Sequence, residues 1–401
     1  MIRALTLVVL LASLGWWLDR EHQAGRFQRV DELFLDFLVA NARDRFVTSS
    51  DQKLADSPVV LVKMRVADKA EYVGWPPRPL DWQMILKSLQ AYEPAVVVVP
   101  ETLFWGSPSP EFVNQAAQAL LPIPSVVLGV EGELASSRDK PAFLGGLEDS
   151  LPVFQKVQGG TGSVPALGAL VAAPDTLMRQ QAELGITVTH ETKKDHVTLP
   201  YAVQEGGRLR TTVLAQALAR FTRTPYATHR LALETGSGAY LAGGVFVNLT
   251  REGEWVCMDR HVPEVDALNL MTSDLAEALS AKDKAALTGG KLIVIGTDDD
   301  KTGGLARLHA VALAEILAMP RLRILPDWGQ WIVWGLAGLL GVRLTFVPRS
   351  KALPLGAMCI FAALVVCFLA FQSSLIWCPP TIPAALLAVS TLFARITGRV
   401  K

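Results

Sequence analysis

From Trp328 to Ile396 the chain is almost wholly apolar, and this constrains its fold more than any other feature. Three stretches there, Trp328 to Val347, Leu353 to Phe371 and Leu375 to Ile396, each approach the ~20 residues that a helix needs to cross a bilayer. Pro379, Pro380 and Pro383 crowd the start of the last, a place where a spanning helix tolerates proline. A further apolar run, Ala4 to Leu18, lies near the start of the chain. At about 15 residues it suits either the core of a signal peptide or a signal anchor. It lacks a small-x-small cleavage site at its end, and Trp16 and Trp17 stand where an interfacial aromatic belt would, so it reads as an uncleaved anchor.

Basic residues orient these spans. Arg343, Arg349 and Lys351 flank the loop between the second and third spans, and Arg395, Arg399 and Lys401 form the tail. The turn Gln372 to Ser374 carries no charge. Both termini are therefore expected in the cytoplasm, and the large segment between the first and second spans outside it. Arg3 before the first span, against Arg20, Arg26 and Arg29 after it, argues the other way; the three closing spans are taken to decide.

That large segment has an α/β rhythm. An amphipathic helix is expected over Val30 to Phe46, with Leu33, Phe34, Phe37, Leu38 and Ala42 on its apolar face and Asp31 and Asp36 off it. Strands are expected at Val59 to Val62, Ala95 to Val99, Ser125 to Val130, Val245 to Leu249 and Lys291 to Ile295. Helices are expected at Leu80 to Tyr92, Glu111 to Leu120, Thr211 to Phe221, Thr272 to Ala281 and His309 to Met319. Strands alternating with helices imply a mostly parallel sheet covered by helices. The segment from Ser137 to Thr189, rich in Gly, Pro and Ser, resists assignment. The domain plan is thus an anchor over 1–20, an α/β domain over 21–327 and a three-helix bundle over 328–401.

Zero net charge gives no electrostatic case for nucleic acid. Three of the four cysteines, Cys359, Cys367 and Cys378, lie in the apolar region, which leaves Cys257 no partner within the domain. The sequence contains no His-Glu-x-x-His, Cys-x-x-Cys, nucleophile elbow or phosphate loop, so no metal, cofactor or enzymatic activity is expected.

Several separated stretches resemble one family. Gly74-Trp75-Pro76-Pro77-Arg78 is similar to its Gly-x-Trp-Pro-(Trp)-Pro-Arg turn, and Val245-Phe246-Val247-Asn248-Leu249 to its Phe-x-(Val/Ile)-Asn-Tyr strand. Ala169 to Arg179 resembles its Asp-x-Asp-Gly-x-x-Arg connection, although the glycine is missing. The stretch from Gly290 to Gly296, GKLIVIG, with Leu308-His309-Ala310 after it, is the closest match. Their order, with an anchor before and three spans after, resembles the type-2 CHASE domain, an extracellular sensory module associated with cyclases and histidine kinases. Departures fall at Lys63-Met64-Arg65 and Pro100-Glu101, where the family tends to place acidic residues. The resemblance implies a bacterial inner-membrane sensor whose periplasmic domain binds a signal. With no output domain following the spans, that signal would pass to a separate cytoplasmic partner.

Six residues are candidates for ligand contact. Glu101, Asp298 and Asp299 follow strands, where α/β sheets bind ligands. Trp75 and Arg78 sit beside Pro76 and Pro77, and His309 near the start of a helix. Each has a structural alternative: a solvated turn, a packed tryptophan, a capping histidine. Gly335, Gly338 and Gly341 offer a small-residue face for helix packing, either within the bundle or in a homo-oligomer. Besides the lipid bilayer, the expected partners are a second copy or a cytoplasmic or envelope protein. A structural subunit of an envelope complex is the alternative reading.

Overall fold

The computed structural model describes residues 2–24, 26–46, 57–64, 75–106, 108–135, 145–188, 197–234, 236–257, 261–271, 280–297 and 304–397. They divide into two compact units, Phe46–Pro320 and the combination of Met1–Arg45 with Arg321–Lys401. The helix Gln28–Asn41, expected with the α/β domain, belongs to the helical unit.

The α/β unit is organised by a seven-stranded sheet. Its strands are β1 (Val59–Met64), β2 (Val96–Val99), β3 (Val126–Leu134), β4 (Leu167–Ala172), β5 (Glu183–Val188), β6 (Glu264–Asp266) and β7 (Leu292–Thr297). Across the sheet the order is β6-β1-β7-β2-β3, with β5 on the far edge of β3, and these pairings are parallel. β4 is antiparallel to β3. It pairs with Glu131–Leu134 while β5 pairs with Val127–Gly132, so the two occupy opposite edges. β4 thus takes over the edge that β2 leaves after Leu128. β4 and β5 both lie in the segment that sequence periodicity leaves unassigned.

Both faces of the sheet are buried, which is why β2 reads as four consecutive valines and not as an alternation. Val59, Leu61, Val96, Val98, Leu292 and Val294 face one core, packed beneath the helices Val213–Phe221 and Leu305–Ala318. Val60, Val62, Val97, Val99, Ile293 and Ile295 face the other, beneath Pro79–Gln90 and Pro110–Gln118. The helix expected over Thr272 to Ala281 lies largely outside the described residues. Short helices flank it at Ala267–Met271 and Ala281–Leu287. A four-stranded sheet of Lys156–Gln158, Arg230–Ala232, Gly238–Tyr240 and Phe246–Asn248 adds Leu231, Ala239 and Val247 to the first core. The hairpin Ala202–Glu205 to Arg208–Thr211 turns through Gly206 and Gly207, whose φ of 53° and 82° suit a two-residue turn that L side chains resist.

The helical unit contains Ile2–Gln23, Gln28–Asn41, Asp327–Leu344, Arg349–Ser374 and Thr381–Thr397. Among the described residues, Arg349–Ser374 is long and apolar enough to cross a membrane, and Thr381–Thr397 is apolar but shorter. The expected span from Leu375 is corrected. Leu375 takes a left-handed backbone, Ile376–Trp377 pairs with Arg323–Ile324, and the helix starts only at Thr381. Pro379 and Pro380 explain the delay, because the residue before a proline is pushed out of the helical region.

The amphipathic helix is also corrected. Leu33 and Phe37 are exposed, whereas Asp31 and Asp36 are buried. Asp31 is drawn inward by hydrogen bonds: its Oδ1 accepts from the Thr381 N–H at 3.2 Å and the Thr381 hydroxyl at 2.6 Å. A carboxylate there satisfies a free N–H at a helix N-terminus and meets the positive end of the helix dipole. His22 Nδ1 lies 3.3 Å from the second oxygen. Desolvation raises the Asp31 pKa, against the pull of Thr381 and His22. At the opposite end of the helices Arg349 donates to the Ile396 carbonyl, which ties the start of Arg349–Ser374 to the end of Thr381–Thr397.

Candidate functional site

β1, β7 and β2 are adjacent and parallel, so their C-terminal ends share one edge of the sheet. Trp75, Glu101 and Thr297 meet at that edge. The chain leaves β2 through Pro100 and bends across β3 at Gly129. The Thr187 hydroxyl donates to the Pro100 carbonyl at 2.8 Å, and the Thr102 hydroxyl donates to the Gly129 carbonyl at 3.1 Å. A β-carbon at Gly129 would stand 1.9 Å from the Pro100 oxygen, so only glycine permits this approach.

The bend turns Glu101 back toward β7. Its buried carboxylate accepts the Thr297 N–H at 3.1 Å and the Thr297 hydroxyl at 2.9 Å. Gly296, the closing glycine of GKLIVIG, leaves room for both Glu101 and the following helix. A β-carbon there would lie 3.1 Å from Glu101 Oε1 and 2.3 Å from the Ala306 β-carbon. Asp298 and Asp299 lie outside the described residues.

The turn around Trp75 is clasped to the same segment. Trp75 Nε1 donates to the Thr102 carbonyl at 2.9 Å and Trp105 Nε1 to the Pro77 carbonyl at 2.7 Å. Trp75 packs edge-on to the fully buried Trp82 at 5.9 Å. Asp175 accepts from the Trp105 N–H at 3.1 Å. Arg78 is exposed and precedes the helix Pro79–Gln90. Burial raises the Asp81 pKa, and the nearby Arg78 opposes that shift. Here Trp75 and Glu101 find their partners within the chain, and the edge is braced.

His309 stands apart from these residues. The helix begins at Leu305, four residues earlier than expected, which places His309 in its second turn. The ring is buried, and its Nδ1 lies 2.9 Å from the Leu305 carbonyl. Burial lowers its pKa to about 4, so it is a neutral packing residue at pH 7.

The opposite edge of the sheet carries a polar cavity of about 940 Å³. It lies where the chain approaches β7, β2, β3 and β5, and is lined by Glu93, Gln180, Gln181, Arg220, Arg223 and Tyr226, among others. Glu93 and Arg223 have φ of 49° and 54°, a left-handed backbone that favours glycine. Each follows a helix C-terminus: Glu93 N–H donates to Gln90 O at 3.1 Å, and Thr224 N–H to Ala219 O at 2.9 Å. Arg223 suits the negative end of a helix dipole, but Glu93 opposes it. Neither backbone nor dipole favours a glutamate here.

Arg220 pairs with Glu183, and Gln216 donates to Glu183 and accepts from Tyr226. Burial raises the Tyr226 pKa, and Tyr201 and Glu183 add to the shift, so the phenol is a neutral donor at pH 7. The signal for this cavity was legible as Glu93-Pro94 and Arg223-Thr224-Pro225, charged residues where a helix-ending glycine is usual.

In the helical unit only Gly341 of the three expected glycines packs closely, since a β-carbon there would stand 2.1 Å from Ser390 Oγ. Gly335 and Gly338 meet nothing within 4 Å. They line an apolar groove of about 460 Å³ with Leu11, Gly15, Trp16 and Trp334. The difference is geometric: a three-residue step on a helix of 3.6 residues per turn drifts around the axis, so the glycines do not share one line.

No family model, curated protein or solved structure matches the chain.

Proposed function

We propose that this chain is a bacterial inner-membrane sensor. In this reading the helical unit spans the bilayer, the α/β unit is extracytoplasmic and binds a small polar signal, and the basic end of the helices contacts a cytoplasmic partner. The carrying observation is that the helical unit is built from both ends of the chain, before and after the α/β unit. A change in the α/β unit therefore has two covalent routes into one bundle. The resemblance of Trp75 to Arg78 and of Gly290 to Gly296 to the type-2 CHASE domain supports the same assignment.

The cavity lined by Glu93, Arg223, Gln180 and Tyr226 is the better candidate for the signal-binding site, because Trp75 and Glu101 are already engaged. Concave sites with a few converging polar groups are where small ligands bind. Topology fusions test the reading. A reporter after Lys401 should score cytoplasmic, and one inserted between Gly206 and Gly207 extracytoplasmic. A cytoplasmic score at Gly206 would end the sensor reading.

The open groove at Gly335 and Gly338 favours a second reading, an assembly subunit of an envelope complex. Gly338→Leu would then abolish a stable crosslinked complex in membranes, whereas a sensor with a transient partner would lose only its response.

A further inference from the structure

Three helices of the helical unit meet at Asp31. The residue lies on Gln28–Asn41, bonds Thr381 at the start of Thr381–Thr397, and faces His22 near the end of Ile2–Gln23. Its Oδ1 is taken by Thr381, 2.6 Å from the hydroxyl and 3.2 Å from the N–H. Its Oδ2 lies 3.3 Å from His22 Nδ1. Both of these atoms are buried, and among the described residues neither is hydrogen-bonded to any other group.

The two atoms cannot both be acceptors. An ionised carboxylate offers only lone pairs, and so does a ring nitrogen without its hydrogen. Lone pairs facing each other away from water would leave two buried polar atoms unsatisfied. A proton therefore lies between them, and with Asp31 ionised it sits on Nδ1. The His22 side chain as a whole is 26% exposed, so solvent still reaches the ring. A further proton, taken up on Nε2, turns the neutral donor into an imidazolium beside the carboxylate. Histidine is the side chain that gains this charge between pH 5 and 8, and a charged donor makes the stronger bond.

The surrounding charges leave this exchange to the pair. Glu21 is held by Arg26 at 2.8 Å, and Glu32 accepts from Gln28 at 2.7 Å. Asp19 and Asp36 stand three residues from His22 and five from Asp31 on their own helices, and Arg29 is exposed. Cys378 is the titratable group on the segment leading to Thr381, and it is buried. Arg321, Arg323 and Asp327 are exposed, and the last turn of Arg349–Ser374 carries no charge.

We propose that His22 and Asp31 form a proton-binding latch, in which proton uptake tightens the corner where Ile2–Gln23, Gln28–Asn41 and Thr381–Thr397 meet. The two side chains are held together only in the folded corner, so by linkage the bound proton stabilises it. That stabilisation grows as the pH falls through the histidine range and is lost as the pH rises. The latch also lies on both connections to the α/β unit. Gln28–Asn41 precedes Phe46, and Arg323–Ile324, which follows Pro320, pairs with Ile376–Trp377 just before Thr381. That the proton comes from outside the cell rests on the sensor reading; the latch itself does not.

Hydrogen exchange tests it. The purified full-length chain in lipid nanodiscs is labelled at pH 6 and pH 8, with times scaled to equal intrinsic exchange. Mass spectrometry then reads peptides spanning Trp377 to Leu386, which keeps this corner apart from His309 in the α/β unit. Wild type should exchange about two- to fivefold more slowly at pH 6 than at pH 8, the gain expected of one ion pair. His22→Gln and Asp31→Asn should each abolish that ratio. His22→Arg, charged at both pH values, should hold the pH 8 exchange near the wild-type pH 6 level. Equal wild-type exchange at the two pH values, or a ratio that survives His22→Gln, would overturn the latch. If the Gln and Asn variants fail to fold, the wild-type ratio and the Arg variant decide the same question. A cytoplasmic score for the reporter between Gly206 and Gly207 would overturn the external source of the proton but not the latch.

Discussion

Glu101 and Thr297 stand 196 residues apart in the chain, yet the Glu101 carboxylate takes both the N–H and the hydroxyl of Thr297 at the ends of β2 and β7. Glu101→Ala leaves that N–H buried without its acceptor, an omission that costs about 1–3 kcal/mol. Glu101→Gln keeps one acceptor oxygen and should lose less. Thermal unfolding of the full chain reads the difference. A wild-type Tm for Glu101→Ala would instead free the carboxylate for a ligand.

Gly129→Ala should be far more damaging than its size suggests. Its β-carbon would meet the Pro100 carbonyl, so β3 and the segment after β2 must separate. Overpacking of this kind costs about 1–3 kcal/mol or more. Gly162→Ala is the control, because nothing lies within 4 Å of the added carbon. Comparable losses in the two variants would refute the close approach.

The buried His229 and His309 predict an acid-sensitive α/β unit. Burial lowers His229 and His309 each to about 4, against an ordinary value of 6.5. Between those values the unfolded chain binds more protons than the folded one, so stability falls as the pH drops from about 6.5 toward 4. The loss is on the order of 1–2 kcal/mol per histidine by about pH 5. Above pH 7 these residues contribute no slope. Unfolding of wild type and His309→Gln at pH 7.5 and 5 should show a shallower decline in the variant; equal declines would show that His309 protonates freely.

Glu93 and Arg223 predict a trade between stability and binding. Replacing either by glycine relieves a left-handed backbone, a gain of about 0.5–1 kcal/mol. Glu93→Gly also removes a carboxylate from the negative end of a helix, so it should stabilise more than Arg223→Gly. Both variants should melt above wild type and lose any ligand-induced rise in Tm. Variants that melt lower would give the two charges a structural role in place of a binding one.

The apolar helix Arg349–Ser374, the parallel α/β class and the glycine-bounded strand at Leu292–Thr297 were legible in the sequence, because each is a local pattern repeated over many residues. β2 shows this most simply: four valines in a row exclude a one-sided strand. Periodicity does not choose between partners, and that is where the sequence reading stopped. It placed Leu33 and Phe37 inward, but the hydrogen bonds from Thr381, 350 residues away, turned Asp31 inward instead. It placed ligand chemistry after Val99, where the register of β2 beside β7 spends Glu101 on Thr297. It passed over Glu93 and Arg223, whose shared cavity exists only once four strands and a helix converge on one edge. A hydrophobic pattern depends on neighbours a few residues away, whereas a buried carboxylate depends on whichever donor the folded chain brings to it. Only the tertiary structure decides that.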